Sequence, residues 1–448
     1  RRQWLRSSCA IALGAGYTAY AANKPGSYPF RATSGDFIDE PQWDEKITVT
    51  VGPANADICG TSDKALQAAV DYALRLGGGT VRILPGNYRL RNAVRLGSGI
   101  RLIGSGEDSK IIKENMLRTR LSEDSDWFDQ EITLEDASGF QVGDAVCILG
   151  KNPHTGGPLV VKRVLTARSG NRFKLDKGIR DNAWKMGEVE AATLFPLISV
   201  EDVENIVIED LCIDGNRENN DFFDGNYGGC IFMHDANNIS VRRVIAQNNN
   251  GDGIAWQICH DVVVEDCRSI NHSGLGFHPG SGSKRTVMRN NFIQGNNIGI
   301  FFCWGVQNGL AENNICRENN TGISIGHRDN GNIVRNNEVY DSGTVGLLFR
   351  PERGEGFTAT DNLFENNLVV NSGGDEGVAV GAADQDLLHL APPQLVAGAG
   401  ADRHQRRGHR RDRARADVRR RGGRRPDALR RIHHRPHAHR GALPRVLA

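Results

Sequence analysis

Between residues 277 and 355, four short stretches collect side chains able to do proton and carboxylate chemistry. Residues 277–284, "FHPGSGSK", offer His278, Ser281, Ser283 and Lys284, and residues 301–305, "FFCWG", offer Cys303 and Trp304. Residues 322–330, "GISIGHRDN", carry His327, Arg328 and Asp329. Residues 347–355, "LLFRPERGE", carry Arg350, Glu352, Arg353 and Glu355. An imidazole gives or takes a proton near neutral pH, and a guanidinium holds a carboxylate through two parallel hydrogen bonds. Together they can abstract the proton beside a sugar carboxylate. His327 or His278 would be the base, and Arg350 and Arg328 the carboxylate clamps. Trp304 would stack on a sugar face, with Ser281, Ser283, Lys284 and Arg353 as further substrate contacts. Hydrolysis is the alternative; it needs two carboxylates flanking the scissile bond, which Asp329 and Glu352 could supply. A purely structural reading stands beside both. In it the histidines are hydrogen-bonded corner residues, Trp304 packs inward, and the Arg–Asp–Glu set is a surface ion ladder of small energy. The triplet His327-Arg328-Asp329 also spells the start of a kinase catalytic loop. That loop requires Asn five residues after the Asp; the residue there is Val334.

The elements that must position these residues come from a repeat. From Pro196 onward short segments of one pattern recur: "NIVIEDL", "NISVRRV", "DVVVEDC", "TVMRNNF", "LAENNI" and "IVRNNEV". A second segment follows each, ending in Gly. Starting a unit at the next residue gives Cys230, Ile254, Phe277, Ile300, Ile323 and Leu347, spaced 24, 23, 23, 23 and 24. Such regularity marks a solenoid. The runs are three to six residues long and alternate apolar with polar, and the Leu-x-x-Leu-x-Leu frame of leucine-rich repeats is absent. A coil of short parallel strands remains, a parallel β-helix whose rungs stack about 4.8 Å apart. Its interior is expected to hold the column Cys230 to Leu347 and a second one, Phe232, Trp256, Pro279, Phe302, Ile325 and Phe349. Asn291, Asn314 and Asn337, with Asn362 next, align as an asparagine ladder. Three further columns are expected: Ser281, Trp304 and His327; Gly305, Arg328 and Glu352; Ser283 and Asp329. His234, Asp235, Gln257, His260 and Asp261 join the same corner from earlier rungs.

Ahead of the repeat, "TSDKALQAAVDYALRL" (61–76) places Leu66, Ala69, Val70, Ala73 and Leu74 on one helical face, with Thr61 or Ser62 as cap. "GGGTVRILPGNYRL" and "GIRLIGSGEDSKII" follow as strand–turn–strand segments. Gly104-Ser105-Gly106 leads into a strand, which excludes a phosphate loop. Residues 125–195 are β-rich with a longer period and read as an inserted β-subdomain. The helix with its glycine-rich strand segments, together with the Asn-Asn-hydrophobic repeats, resembles the pectin-lyase-like superfamily over about residues 55–381. "CIDGNRENN" (212–220) is similar to a rung common in its glycan-active members. The resemblance implies an all-β fold: a single-stranded right-handed parallel β-helix with an N-terminal capping helix and a small inserted β-subdomain. It also implies a polysaccharide ligand and leaves lyase, epimerase, hydrolase and non-enzymatic glycan binding open. The superfamily's paired-aspartate hydrolase signature and its acidic calcium cluster are not found. No cofactor is expected; a Ca²⁺ requirement stays open, with no ligands assignable from the sequence.

The ends differ from the middle. Residues 1–22, beginning "RRQWLRSSC" and reaching Ala19-Tyr20-Ala21, read as a twin-arginine export leader, which implies a periplasmic or secreted protein; a monomer is expected. Nine cysteines without a Cys-x-x-Cys pair argue against a zinc site or a disulfide framework. A net charge of +1 argues against a nucleic-acid partner, and no apolar run is long enough for a transmembrane segment. Residues 401–448 hold 17 Arg and 6 His but no Lys, Glu or Asn. Residues 382–448 are expected to lack a packed core and to reflect a shift of reading frame near 380.

Overall fold

Outside the inserted subdomain, the strands run in one direction, and those of the repeat pair with strands about 23 residues before and after them. In a computed structural model, which describes residues 40–373 and the backbone of Val378–Val380, Leu388–Ala391 and Val396–Ala397, the pairings build a coil with three parallel sheets. In one turn Leu275–Pro279 lies in sheet I, Val287–Arg289 in sheet II and Phe292–Gln294 in sheet III. The next turn repeats this with Ile298–Phe301, Leu310–Glu312 and Ile315–Arg317. Sheet I extends from Val94–Arg95 to Val378–Val380. The leader read at 1–22 lies outside the described residues, as does the Arg-rich segment from 398 onward.

Ile254, Phe277, Ile300, Ile323 and Leu347 stack in register inside the coil. The first member differs from expectation: Ile231, not Cys230, pairs with Ile254, and Met233, not Phe232, pairs with Trp256. The interval there is 23 residues, as it is from Ile254 through Phe277 and Ile300 to Ile323. A one-residue slip exchanges the two faces of a strand, so Phe232 belongs to the outward column of sheet I. Cys230 is nevertheless fully buried.

Sharp bends between sheets require a residue in the left-handed region, and Asn and Asp tolerate it. Asp266, Asn290, Asn313, Asn336 and Asn366 adopt it rung after rung, with φ between 53° and 57°. The residue after each forms the ladder. The side-chain amide of Asn291 donates to Asn314 Oδ1 at 2.9 Å, Asn314 to Asn337 at 2.9 Å, and Asn337 to Asn367 at 2.9 Å. The fourth member is thus Asn367. Asn362 caps a separate ladder with Asn332, 3.0 Å away, because the final interval is 30 residues and not 23. Each ladder oxygen also accepts a backbone N–H of the rung before it. Asn314→Ala strips acceptors from buried donors on Asn291, so it is expected to cost roughly 2–4 kcal/mol in denaturant unfolding.

Helix α1 (Asp63–Arg75) closes the N-terminal end, burying Leu66, Ala69, Val70 and Ala73. Ser62 occupies the cap position but makes no side-chain cap bond. The insertion runs from Arg118 to Ala192 as six antiparallel strands around its own core, with Phe140, Ile148, Leu165 and Phe173 at its centre. It is tied to the coil by Arg91–Asp144 at 2.6 Å and Lys162–Glu201 at 3.1 Å.

Candidate functional site

The outward column of sheet I carries Ser199, Phe232, Ala255 and His278 in register, and Phe301, Ser324 and Leu348 continue it. His278 therefore sits in the sheet and not at the corner. Its Nδ1 lies 2.7 Å from an Asp252 carboxylate oxygen, and the Gln257 amide is 3.4 Å from Nε2. Asp252 enters from the turn preceding Ile254, and its other oxygen accepts the Leu275 N–H. His278 is only 4% exposed. Burial alone would lower its pKa, but the Asp252 carboxylate and the Cys303 sulfur outweigh it and hold the imidazole up at about 9. His278 is thus a charged acid at neutral pH, not the free base expected from sequence.

Two rungs on, the corner cluster assembles. Bridges Lys284–Gln307–Asn330 fix the register of the turns, so the columns Ser281–Trp304–His327 and Ser283–Asp329 form. Trp304 is half-buried, with its ring 5.3 Å from His327 and 6.4 Å from Phe357. The Arg353 guanidinium lies 4.7 Å over Trp304, and that of Arg328 lies 4.0 Å over Phe357. His327 is 7% exposed. Burial first, then Arg350 and Arg353, push its pKa down to about 4, so it is neutral. Its ring hydrogen-bonds the Pro351 carbonyl, and Nδ1 has no partner among the described residues.

Arg350 joins the two groups. Its guanidinium stacks 4.2 Å over Phe301, whose ring is 5.8 Å from that of His278. It donates to Ser324 Oγ at 2.8 Å, the Phe302 carbonyl at 2.5 Å and Asp329 at 3.1 Å. Only Nε lacks a partner among the described residues, so most of the clamp capacity predicted for Arg350 is already used internally.

Asp329 corrects the hydrolytic alternative. It is fully buried, and its carboxylate accepts the backbone N–H groups of Gly305, Val306 and Gly326, each at 2.9 Å. Burial raises its pKa to about 6 against the pull of Arg350 and those donors. Glu352 is not its vertical neighbour. Ile333 pairs with Leu363 thirty residues on, whereas Leu310 pairs with Ile333 twenty-three on. The added residues form a loop, 351–360, where Glu352 is exposed and accepts the Phe357 N–H at 3.3 Å. The two carboxylates therefore do not face one bond. Ser283 is buried and accepts the Cys259 N–H, a turn role. No described contact joins the side chains of Ser281 or Lys284 to the cluster.

Earlier rungs contribute less: Asp261 pairs with Arg285 at 2.8 Å and His234 stacks near Phe232. Asp252 and Phe357 were not singled out by the sequence. Asp252 acts from the neighbouring rung's entry turn, and Phe357 lies in a loop that breaks the period. Column alignment reaches neither.

Residues 229–384 match the family model described as "Right handed beta helix region". With the parallel sheets described above, this match makes the chain a right-handed parallel β-helix protein in fold. Among curated proteins it is 22% identical over 332 residues to mannuronan C5-epimerase AlgE2 of Azotobacter vinelandii, covering 72% of this chain and 24% of that one. The chain spans about a quarter or less of the length of the curated relatives it matches. Among solved structures it is similar to the A-module of mannuronan C-5 epimerase AlgE6 of A. vinelandii: 16% identity, 75% and 94% coverage of the two chains, TM-score 0.36. It is also similar to a structure titled glycoside hydrolase, with 11% identity, 79% and 94% coverage and TM-score 0.43.

Proposed function

We propose that the protein acts on an acidic polysaccharide by moving a proton at the carbon beside a uronate carboxylate, giving epimerisation or β-elimination. The observation that carries this reading is a pair of imidazoles whose pKa values are displaced in opposite directions, one in sheet I and one at the adjoining corner. His327 is held neutral and His278 protonated, and such divergence assigns base and acid. The two lie two rungs apart, roughly 10 Å along the axis, with Arg350 between them. Similarity to proteins named mannuronan C5-epimerases supports the same class.

In this reading His327 takes the proton. Arg328, Arg353 and the Arg350 Nε–H hold the carboxylate as it gains enolate character. His278 returns a proton to the opposite face of the same carbon, which inverts it, or to the leaving glycosidic oxygen, which cleaves the chain. Residues 351–360 cover His327 and must lift to admit substrate. A twin-arginine leader at residues 1–22 would deliver the protein to an extracellular polysaccharide.

The test compares wild type with Arg353→Ala and Trp304→Ala on alginate and pectin. NMR reads inversion at C5, absorbance reads unsaturated uronate, and a reducing-end assay reads hydrolysis. Each substitution is expected to lower kcat/KM by about 10- to 100-fold, the worth of one charge-assisted contact. New reducing ends with neither inversion nor unsaturation would overturn the reading in favour of hydrolysis, and absence of any product would leave glycan binding alone.

A further inference from the structure

A cleft of about 630 Å³ lies between the inserted subdomain and the first turns of the coil, away from the His327 cluster. Its volume is that of an ordinary small-ligand site. Its walls are fixed to each other. Arg91–Asp144 pins one end, while Lys162 bridges to Glu201 and lies 4.4 Å over the Phe232 ring at the other. The floor comes from Arg95 and the strand Ile198–Glu201, and the roof from the strand Pro158–Ser169 and residues 176–181, with Tyr227 in the side wall.

Charge in this cleft is unevenly committed. Glu201 is engaged by Lys162 and by Ser199 Oγ at 2.6 Å, Asp181 accepts the Asn152 amide at 2.5 Å, and Asp176 accepts the Val164 N–H at 2.8 Å. By contrast, Arg95, Lys177 and Arg180 form no ion pair among the described residues, and all three are exposed. At the rim the Arg180 guanidinium lies 5.6 Å over Phe128, which is 80% exposed beside the exposed Trp127. Two adjacent exposed rings thus stand at the rim next to uncompensated positive charge.

We propose that this cleft is a second saccharide site that takes an acidic oligosaccharide. Phe128 stacks on a pyranose face, Arg180, Lys177 and Arg95 receive the carboxylates, and Tyr227 hydrogen-bonds a hydroxyl. Only the choice of an acidic sugar rests on the proposed function. The inserted subdomain thereby anchors a polymer at a distance from the rungs where proton transfer is placed.

The experiment is titration calorimetry on the full chain carrying Trp304→Ala and Arg353→Ala, which weakens the corner cluster. The probes are oligomannuronate, oligogalacturonate and neutral cello-oligosaccharide. An acidic oligomer is expected to bind with an affinity that falls as salt rises. Adding Arg95→Ser, Lys177→Ser and Arg180→Ser is expected to weaken it at least tenfold, and Phe128→Ala alone to weaken it severalfold. All substituted side chains in the cleft are exposed, and an unchanged melting curve checks that the fold is intact. Equal affinity after the triple change, equal binding of the neutral oligomer, or no binding of either acidic oligomer each overturns the proposal. Loss of binding with the triple change, together with no product from any uronan by wild type, would instead overturn the proposed reaction and leave this site standing.

Discussion

Asp329→Ala is expected to lower stability by about 3–5 kcal/mol, the range for breaking a buried pair by removing one partner. The carboxylate holds two turns together. Gly305 and Val306 donate to it from one rung and Gly326 from the next, and Arg350 reaches it from a third. Without it three backbone N–H groups lose their acceptor inside protein, and a buried guanidinium loses its counter-charge. Each buried group left unsatisfied costs on its own about 1–3 kcal/mol. Asp329→Asn keeps the volume but turns one acceptor into a donor facing N–H groups, so about half the loss is expected. Denaturant unfolding followed by circular dichroism and by tryptophan fluorescence measures both, since Trp304 lies on the affected turn. A loss below about 1 kcal/mol for the alanine variant would show that the carboxylate is not what joins these rungs. The same variant should lose activity only in proportion to unfolding, which separates a positioning role from the catalytic one first considered for Asp329.

The coil was legible because its cause is local and repeated. Alternating apolar residues fix the faces of each strand, and Asn and Asp occupy the left-handed corners where β-branched residues do not fit. An interval of 23 residues then stacks like on like. Departures are of two kinds, one of phase at the first unit and one where the interval lengthens. The first unit starts one residue later than expected, which moves Cys230 and Phe232 by one position, and the 30-residue interval makes Asn367 and not Asn362 the fourth ladder member. For the site, column alignment correctly gathered Trp304, His327, Arg328 and Asp329 at one corner. It could not say which polar side chains were already consumed inside the protein. Asp329 and Ser283 are spent on backbone N–H groups, and Arg350 mostly on Ser324, Phe302 and Asp329. Protonation was equally hidden, because the partner that charges His278 is Asp252, 26 residues earlier and on another rung.

Charge on His278 leads to the second large effect, a pH profile unlike that of ordinary histidines. In the proposed reaction kcat/KM should fall below about pH 4, where His327 gains a proton, and above about pH 9, where His278 loses one, with a smaller step near pH 6, where the Asp329 carboxylate that anchors Arg350 is protonated. The groups that set the acid limb are Arg350 and Arg353 beside His327, and those that set the alkaline limb are Asp252 and Cys303 beside His278. Asp252→Asn removes the main opposing charge, so burial then dominates and drops the His278 pKa below its unfolded value of 6.5. The alkaline limb moves down by more than two units. At pH 8 the protonated fraction becomes a few per cent, a loss on the order of 30-fold in rate, while activity near pH 5 is largely kept. Stability carries the same signature independently of turnover. A histidine whose folded pKa exceeds its unfolded one binds its proton more tightly in the native state. Its contribution is therefore complete below pH 6.5 and is lost as pH rises through 9. For His278 this is on the order of 2–3 kcal/mol between pH 6 and pH 9.5, read as a fall in the denaturant midpoint. Asp252→Asn should abolish that fall. A wild-type midpoint flat across this window, or an alkaline limb unmoved by Asp252→Asn, would mean that His278 is neutral in the folded protein. The acid role would then have to pass to another group.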